Sequence, residues 1–174
     1  MYIWTAIDLE DQLCDLRSAA ERASDKASAF NPALSLPFHI SLKISCNIPD
    51  ESVDRAIDSI TEYFSGIRHF KIKPIEIQRE GGIVWIRHEK SNELADVHRW
   101  LVRLFEEGFG VPPHEFDLDF AYHTTLFYGE KADAEKAYDM LKNTPLPESL
   151  VCSSYLIGSS QSGKAGEYRV DKRV

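Results

Sequence analysis

The chain has 174 residues and a mass of 19.8 kDa, the size of a single globular domain. Its 43% apolar and 28% charged residues are typical of a folded protein and exclude a disordered or fibrous chain. The net charge of −8 disfavours a protein that tracks along duplex nucleic acid, because that charge repels a long polyanion. A small phosphate ester or an RNA end held in a local pocket remains compatible with it.

Strand-like and helix-like hydrophobic patterns alternate along the chain. Alternation with a period of two predicts seven strands, over residues 2–9, 36–45, 70–78, 83–88, 120–128, 151–158 and 167–170. Apolar residues three and four apart predict four helices: one over 10–28, one capped by Asp50 and ending at Gly66, one capped by Ser91 and ending at Gly108, and one capped by Asp133. Pro74 interrupts the third strand, where we expect a bulge or a sheet edge.

Several signals bear on the location of the protein. No apolar stretch approaches the ~20 residues of a membrane span, and the N-terminus lacks the cationic segment of a secretion signal. The three cysteines Cys14, Cys46 and Cys152 are an odd number without metal-like spacing, which favours reduced thiols. We therefore expect a cytoplasmic monomer without a membrane partner.

Two short segments repeat the pattern His-x-Ser/Thr-Leu. The first is His39-Ile40-Ser41-Leu42 and the second is His123-Thr124-Thr125-Leu126, 84 positions later. Because side chains alternate on a strand, the histidine and the hydroxyl residue of each motif point to the same face, about 7 Å apart. Two such strands side by side would place two imidazoles and two hydroxyl groups around one polar cleft.

This pair of motifs resembles the two-histidine phosphoesterase superfamily, which includes the 2′-5′ RNA ligase-like proteins and the RNA 2′,3′-cyclic phosphodiesterases. The opening segment, residues 2–9, is similar to the first strand of that family. The resemblance implies an α+β fold: a single domain over residues 1–174 with two pseudo-symmetric lobes, duplicated antiparallel sheets, helices on the outer faces and a central cleft. The alternation of strands and helices alone would equally suggest a parallel sheet.

The same resemblance implies a metal-independent phosphodiesterase that hydrolyses a 2′,3′-cyclic phosphate or a short oligoribonucleotide end, with ligation as the reverse reaction. His39 and His123 would be the catalytic acid and base, in an order that the sequence leaves open, and Ser41 and Thr125 would bind the phosphate. Imidazoles titrate near pH 6.5, so one can be neutral while the other is protonated. We expect no cofactor, and no metal, since the motifs lack the carboxylates of a catalytic metal site.

The sequence departs from the family pattern after the second motif. Phe127 stands where many ligase-like members carry an arginine. Lys43, two residues after Ser41 and therefore on the same predicted face, is a candidate to supply that charge to the substrate. By the same alternation Phe127 shares the face of His123, which makes it the candidate for stacking on a nucleobase.

Three alternative functions remain open at this point. They are an RNA 3′-end exonuclease of the same superfamily, a non-catalytic module that binds a nucleotide or phosphate, and a purely structural protein. The exonuclease would degrade linear oligomers stepwise, whereas the binding module would be stabilised by a phosphate ester without forming product. The structural protein would show neither effect.

Two further features are assigned no catalytic role. The segment from Gly158 to Ala165 nearly matches a nucleotide-binding P-loop, but Ala165 replaces the required hydroxyl residue and only nine residues follow it. We expect a hairpin loop there instead. The remaining four histidines lack the motif and are expected on the surface: His69, His88, His98 and His114.

Overall fold

The structure of the protein is a computed structural model that describes all residues from 1 to 174. Four α-helices are present: α1 (Cys14–Ala27), α2 (Val53–Ser65), α3 (Asn92–Phe109) and α4 (Lys131–Leu141). Ten strands accompany them: β1 (Tyr2–Asp8), β2 (His39–Ser41), β3 (Cys46–Asn47), β4 (Phe70–Ile72), β5 (Pro74–Glu80), β6 (Ile83–His88), β7 (His123–Tyr128), β8 (Leu150–Cys152), β9 (Tyr155–Ser160) and β10 (Arg169–Arg173).

The strands form three sheets in which every pair is antiparallel. The largest has the order β10-β9-β1-β2, and β3 also pairs with β1. A second sheet has the order β5-β6-β7, and β4 pairs with β8 in a two-stranded ribbon. The predicted α+β fold with antiparallel sheets is confirmed, and the parallel alternative is excluded.

The helices pack on the sheets through their apolar faces. Helix α2 buries Ala56, Ile60 and Phe64, spaced four residues apart, and contacts β9. Helices α1 and α4 contact each other and the strands of the three-stranded sheet. One continuous hydrophobic core includes residues of both larger sheets, such as Ile7 of β1 and Ile86 of β6. None of the four helices is both long and apolar enough to cross a membrane.

Two predicted strands are each divided in the structure. The segment 36–45 forms β2 and β3 with a bend between them, and the segment 70–78 divides at Lys73 into β4 and β5, which belong to different sheets. The pairing of β5 with β6 shifts between Pro74 and Glu76, so the bulge expected at Pro74 is present. Proline cannot donate a main-chain hydrogen bond to a ladder, which explains the break.

The predicted helix ends are confirmed in part. The Ser91 side chain accepts a hydrogen bond from the Leu94 amide at 3.2 Å, as expected of a cap. Helix α3 continues to Phe109 and ends at Gly110, whose φ of 69° lies in the left-handed region. Asp50 caps no helix; its carboxylate binds the N-terminal ammonium of the chain at 2.8 Å.

The expected hairpin loop connects β9 and β10. Gly158 lies within β9, where a Cβ atom would be 2.3 Å from the Arg169 carbonyl oxygen and 2.7 Å from the Trp4 ring. Its small size is therefore required by a close approach of two strands and an indole. The turn passes through Gly163, with φ of 73°, and leads into a strand rather than the helix of a P-loop.

Candidate active site

Both motifs lie on edge strands. Strand β2 carries the first motif at the edge of the five-stranded sheet, and β7 carries the second at the edge of the three-stranded sheet. The two strands belong to different sheets and contact each other. The fold therefore brings together two segments that are 84 positions apart in the chain.

The burial of the motif residues alternates as predicted. His39 and Ser41 are partly exposed, whereas Ile40 between them is buried. His123 and Thr125 are partly exposed on either side of the buried Thr124. The hydroxyl of Thr124, a polar group in the core, hydrogen-bonds with the ring of a buried histidine, His88, at 2.9 Å.

The two catalytic candidates make the same main-chain hydrogen bond. His39 Nδ1 donates to the carbonyl oxygen of Pro37 at 2.7 Å, and His123 Nδ1 donates to that of Ala121 at 2.9 Å. Each acceptor lies two residues before its histidine. Because a carbonyl oxygen only accepts, these bonds place the Nδ1 proton and leave Nε2 of each neutral ring free to exchange a proton with a ligand.

A tryptophan lies beside each imidazole. The centroids of Trp4 and His39 are 4.7 Å apart in an edge-to-face arrangement, and those of Trp85 and His123 are 5.1 Å apart. Trp4 Nε1 also donates to Ser41 Oγ at 3.2 Å, which leaves the hydroxyl proton of Ser41 available to another acceptor. Neither tryptophan belongs to a motif that marks it in the sequence, although both lie on the strands that pair with the motif strands.

Burial lowers the pKa of both histidines. Burial is the main cause that lowers the pKa of His39 to about 4; the charge of His123 acts in the same direction, while the Pro37 carbonyl and the Asp8 carboxylate act in the opposite direction. Burial also lowers the pKa of His123, opposed by its bond to the Ala121 carbonyl. Both rings are thus neutral in the free protein near neutral pH, and a bound anion would favour their protonation.

Lys43 does not continue the face of His39 and Ser41. Strand β2 ends at Ser41 and the chain bends over the next residues, so the alternation that predicted a shared face no longer applies. The Lys43 side chain is 3% exposed, and its ammonium lies 3.1 Å from a carboxylate oxygen of Asp117. Its charge is neutralised within the protein, and we leave it out of the candidate site.

Phe127 does not share the exposed face of His123 either. The pairing of β6 with β7 shifts by one residue: Trp85 pairs with Thr125, and Val84 pairs with Phe127. This bulge makes Leu126 the extra residue and reverses the alternation that follows. Phe127 is completely buried, so it cannot stack on a nucleobase.

Two of the four histidines expected on the surface are buried. His88 is 3% exposed and His98 is 7% exposed. His98 Nδ1 lies 2.8 Å from the Leu42 carbonyl oxygen, and its Nε2 lies 3.0 Å from the Asp117 carbonyl oxygen. These partners are distant in the sequence, so the helical pattern around His98 gave no sign of them.

Because His88 is buried, we expect the folded protein to lose stability in acid. Burial holds its pKa at about 3 in the folded protein, against an unfolded value near 6.5. As the pH falls below about 6.5, the unfolded chain binds a proton that folded His88 does not, so the free energy of unfolding falls. His88→Gln keeps a polar atom near Thr124 but does not titrate. Between about pH 7 and about pH 5, the free energy of unfolding of His88→Gln, measured with urea, should fall by about 2 kcal/mol less than that of the wild type. Equal decreases would contradict this prediction.

The structure contains no group of three or more His, Cys, Asp or Glu side chains arranged to hold a metal ion.

Comparisons with solved structures identify the fold. TT0787 from Thermus thermophilus aligns with a TM-score of 0.61 at 15% identity, covering 99% of this chain and 96% of that one. LigT from E. coli in complex with NADP+ aligns with a TM-score of 0.56 at 17% identity, covering 99% and 95%. LigT in complex with 3′-AMP gives 0.56 at 16% identity, covering 99% and 96%. No family model and no curated protein sequence matches the chain.

Proposed function

We propose that this chain, which has the fold of the two-histidine phosphoesterases, is a metal-independent phosphodiesterase that hydrolyses a 2′,3′-cyclic phosphate or a short oligoribonucleotide end. The observation that carries the proposal is the equivalence of the two motif histidines. Each has Nδ1 bound to the carbonyl two residues earlier, and each lies on an edge strand in contact with the other.

The two imidazoles divide the acid and base roles. Burial is the main cause that lowers the pKa of His39 to about 4, and the charge of a protonated His123 acts in the same direction. We therefore assign the single proton of a half-protonated pair to His123. His39 Nε2 then accepts a proton from water as the water oxygen attacks phosphorus. The bond from phosphorus to the ribose oxygen breaks, and His123 Nε2 donates its proton to that oxygen. Ser41 and Thr125 donate hydrogen bonds to the non-bridging phosphate oxygens.

Two observations support a small nucleotide-type substrate. Solved LigT structures that share the fold hold 3′-AMP or NADP+. The net charge of −8 opposes binding along a long polyanion but not capture of a single phosphodiester. We therefore propose a nucleotide or an RNA end as the substrate, rather than duplex nucleic acid.

Turnover of nucleoside 2′,3′-cyclic phosphates in the presence of a chelator tests the proposal directly. We expect a single ring-opened nucleoside monophosphate, with a rate that the chelator does not change. Inhibition by the chelator would contradict metal independence. Stepwise shortening of linear oligoribonucleotides, without turnover of the cyclic substrate, would favour an exonuclease instead.

Removing the hydroxyl group of Ser41 or Thr125 should weaken binding of the transition state. A hydrogen bond to a charged group contributes about 1.5–3 kcal/mol, so Ser41→Ala and Thr125→Val should each lower kcat/KM about tenfold to hundredfold. Thr125→Ser should recover most of the loss, because it restores the donor. Ser45→Ala is the control, since Ser45 bonds the Tyr168 hydroxyl at 2.6 Å and is outside the motif. An equal effect of Ser45→Ala and Ser41→Ala would contradict the assignment.

The lowered pKa values of both histidines predict an acid-shifted pH profile. The active form carries one proton on the pair, so its population is greatest between the two pKa values, both below the usual 6.5 in the free enzyme. The profile of kcat/KM, which reports the free enzyme, should have its maximum below about pH 6.5. The maximum of kcat should lie at higher pH, because the bound phosphate anion favours the imidazolium form. Coincident maxima above about pH 7 would refute this.

A further inference from the structure

Two main-chain groups at the end of each motif are bound by side chains rather than by a neighbouring strand. They are the carbonyl of one residue and the amide of the residue two positions later. In the first half these groups are Leu42 O and Ile44 N, the fourth and sixth positions counted from His39. In the second half they are Leu126 O and Tyr128 N, the same positions counted from His123.

A single buried side chain binds both main-chain groups at the end of the second motif. Asn31, which is 4% exposed, donates from Nδ2 to Leu126 O at 2.9 Å. Its Oδ1 accepts from the amide of Tyr128 at 3.1 Å. Asn31 lies in the segment after α1, far in the sequence from the strand that it binds. Its amide takes the place of a missing neighbouring strand.

Two buried side chains bind the corresponding main-chain groups at the end of the first motif. Nδ1 of His98 in α3 lies 2.8 Å from Leu42 O, and it binds that oxygen when it carries the ring proton. Asp117 accepts from the amide of Ile44 through Oδ1 at 3.3 Å. The same two main-chain positions are therefore bound in both halves, by residues that have no sequence similarity to one another.

We infer that His98 and Asn31 are equivalent positioning residues, which fix the main chain at the end of each motif and thereby hold the two catalytic strands in position relative to each other. The inference rests on the proposed function. Through Leu42, His98 positions His39 and Ser41; through Leu126, Asn31 positions His123 and Thr125. Neither residue contacts the substrate, and each acts by limiting displacement of reacting groups whose alignment governs the rate.

Two substitutions at His98 separate its two contacts. His98→Asn keeps a nitrogen at the position of Nδ1, within reach of Leu42 O, and gives up the contact of Nε2 with Asp117 O. His98→Gln keeps a nitrogen at the position of Nε2 and gives up the bond to Leu42 O. We expect His98→Gln to lower kcat about tenfold to hundredfold and His98→Asn to retain most of it. Equal losses in both variants, or none in either, would overturn the inference.

Asn31, which binds the main chain at the end of the second motif, provides an independent test. Asn31→Asp keeps oxygen acceptors for the Tyr128 amide but removes the donor to Leu126 O, and we expect a comparable loss of kcat. Ser24→Ala is the matched control, because Asn31 Nδ2 also donates to Ser24 Oγ at 3.1 Å. It should leave kcat within about twofold of the wild type. A loss in Ser24→Ala equal to that in Asn31→Asp would indicate that general packing, rather than the bond to Leu126, is responsible.

A measurement without substrate distinguishes failure of this inference from failure of the proposed function. The titration of the His39 and His123 imidazoles can be followed by NMR in the free protein. In His98→Gln the pKa of His39 should rise toward its ordinary value, since a looser strand is better solvated, while that of His123 stays unchanged. An unchanged pKa of His39 in His98→Gln would overturn the inference. If the wild type turns over no phosphodiester, the proposed function fails, and the titration alone decides whether His98 positions the first motif.

Discussion

Replacing His39 or His123 by alanine should lower kcat for a 2′,3′-cyclic nucleotide by about 10²–10⁴, because each imidazole transfers one proton in the transition state. The two losses should not add in the double variant, since a base without an acid achieves little. Rates are compared with wild type at saturating substrate with chelator present. Either single variant with full activity would remove that histidine from the mechanism.

A matched control and a modified substrate sharpen this test. His69→Ala removes an exposed histidine that lies outside both motifs, so it should leave the rate unchanged. A phosphodiester with a 4-nitrophenolate leaving group needs no protonation of the departing oxygen. His123→Ala should therefore recover activity on that substrate, whereas His39→Ala should not. The reverse pattern would exchange the acid and base roles.

Removing one partner of the buried Lys43–Asp117 ion pair should strongly destabilise the fold. The two side chains are 3% and 1% exposed, and the carboxylate also accepts from the His114 amide at 2.9 Å. Asp117→Ala leaves a buried ammonium without its counter-charge, which costs about 3–5 kcal/mol in the free energy of unfolding. A domain of this kind has only about 5–15 kcal/mol in total. Urea unfolding at neutral pH measures the change.

The double variant Lys43→Met, Asp117→Asn tests whether the unpaired buried charge causes the instability expected of Asp117→Ala. It removes both charges but keeps a side-chain oxygen that can accept from the His114 or Ile44 amide. We expect it to be more stable than Asp117→Ala, because no unpaired charge is buried. If the two variants are equally unstable, the loss comes from the main-chain hydrogen bonds of Asp117 rather than from the ion pair.

Several patterns that depend only on neighbours along the chain are confirmed. The alternation in His39-Ile40-Ser41 depends only on strand geometry, and the structure confirms it. The cap at Ser91 and the bulge at Pro74 also follow from local chemistry. The resemblance of the motifs and the first strand to a known family implied the antiparallel fold, which the comparison with solved structures confirms.

The same reasoning was wrong where one local event changed the alternation. The chain bends after Ser41 and turns Lys43 inward, and the bulge at Leu126 turns Phe127 into the core. Each event shifts every later side chain to the other face, because the period of a strand is two. The sequence offered no indication of either event, since both depend on the strand or helix alongside.

The sequence by itself determined the residue types of the two motifs, their strands and the chemistry that paired imidazoles allow. Only the tertiary structure decided that β2 and β7 contact each other, that tryptophans from β1 and β6 lie beside the imidazoles, and that His88 and His98 are buried. The physical reason is the cost of burying a polar ring. That cost is acceptable only where a partner is present, and the partners of His98 lie 56 and 19 positions away.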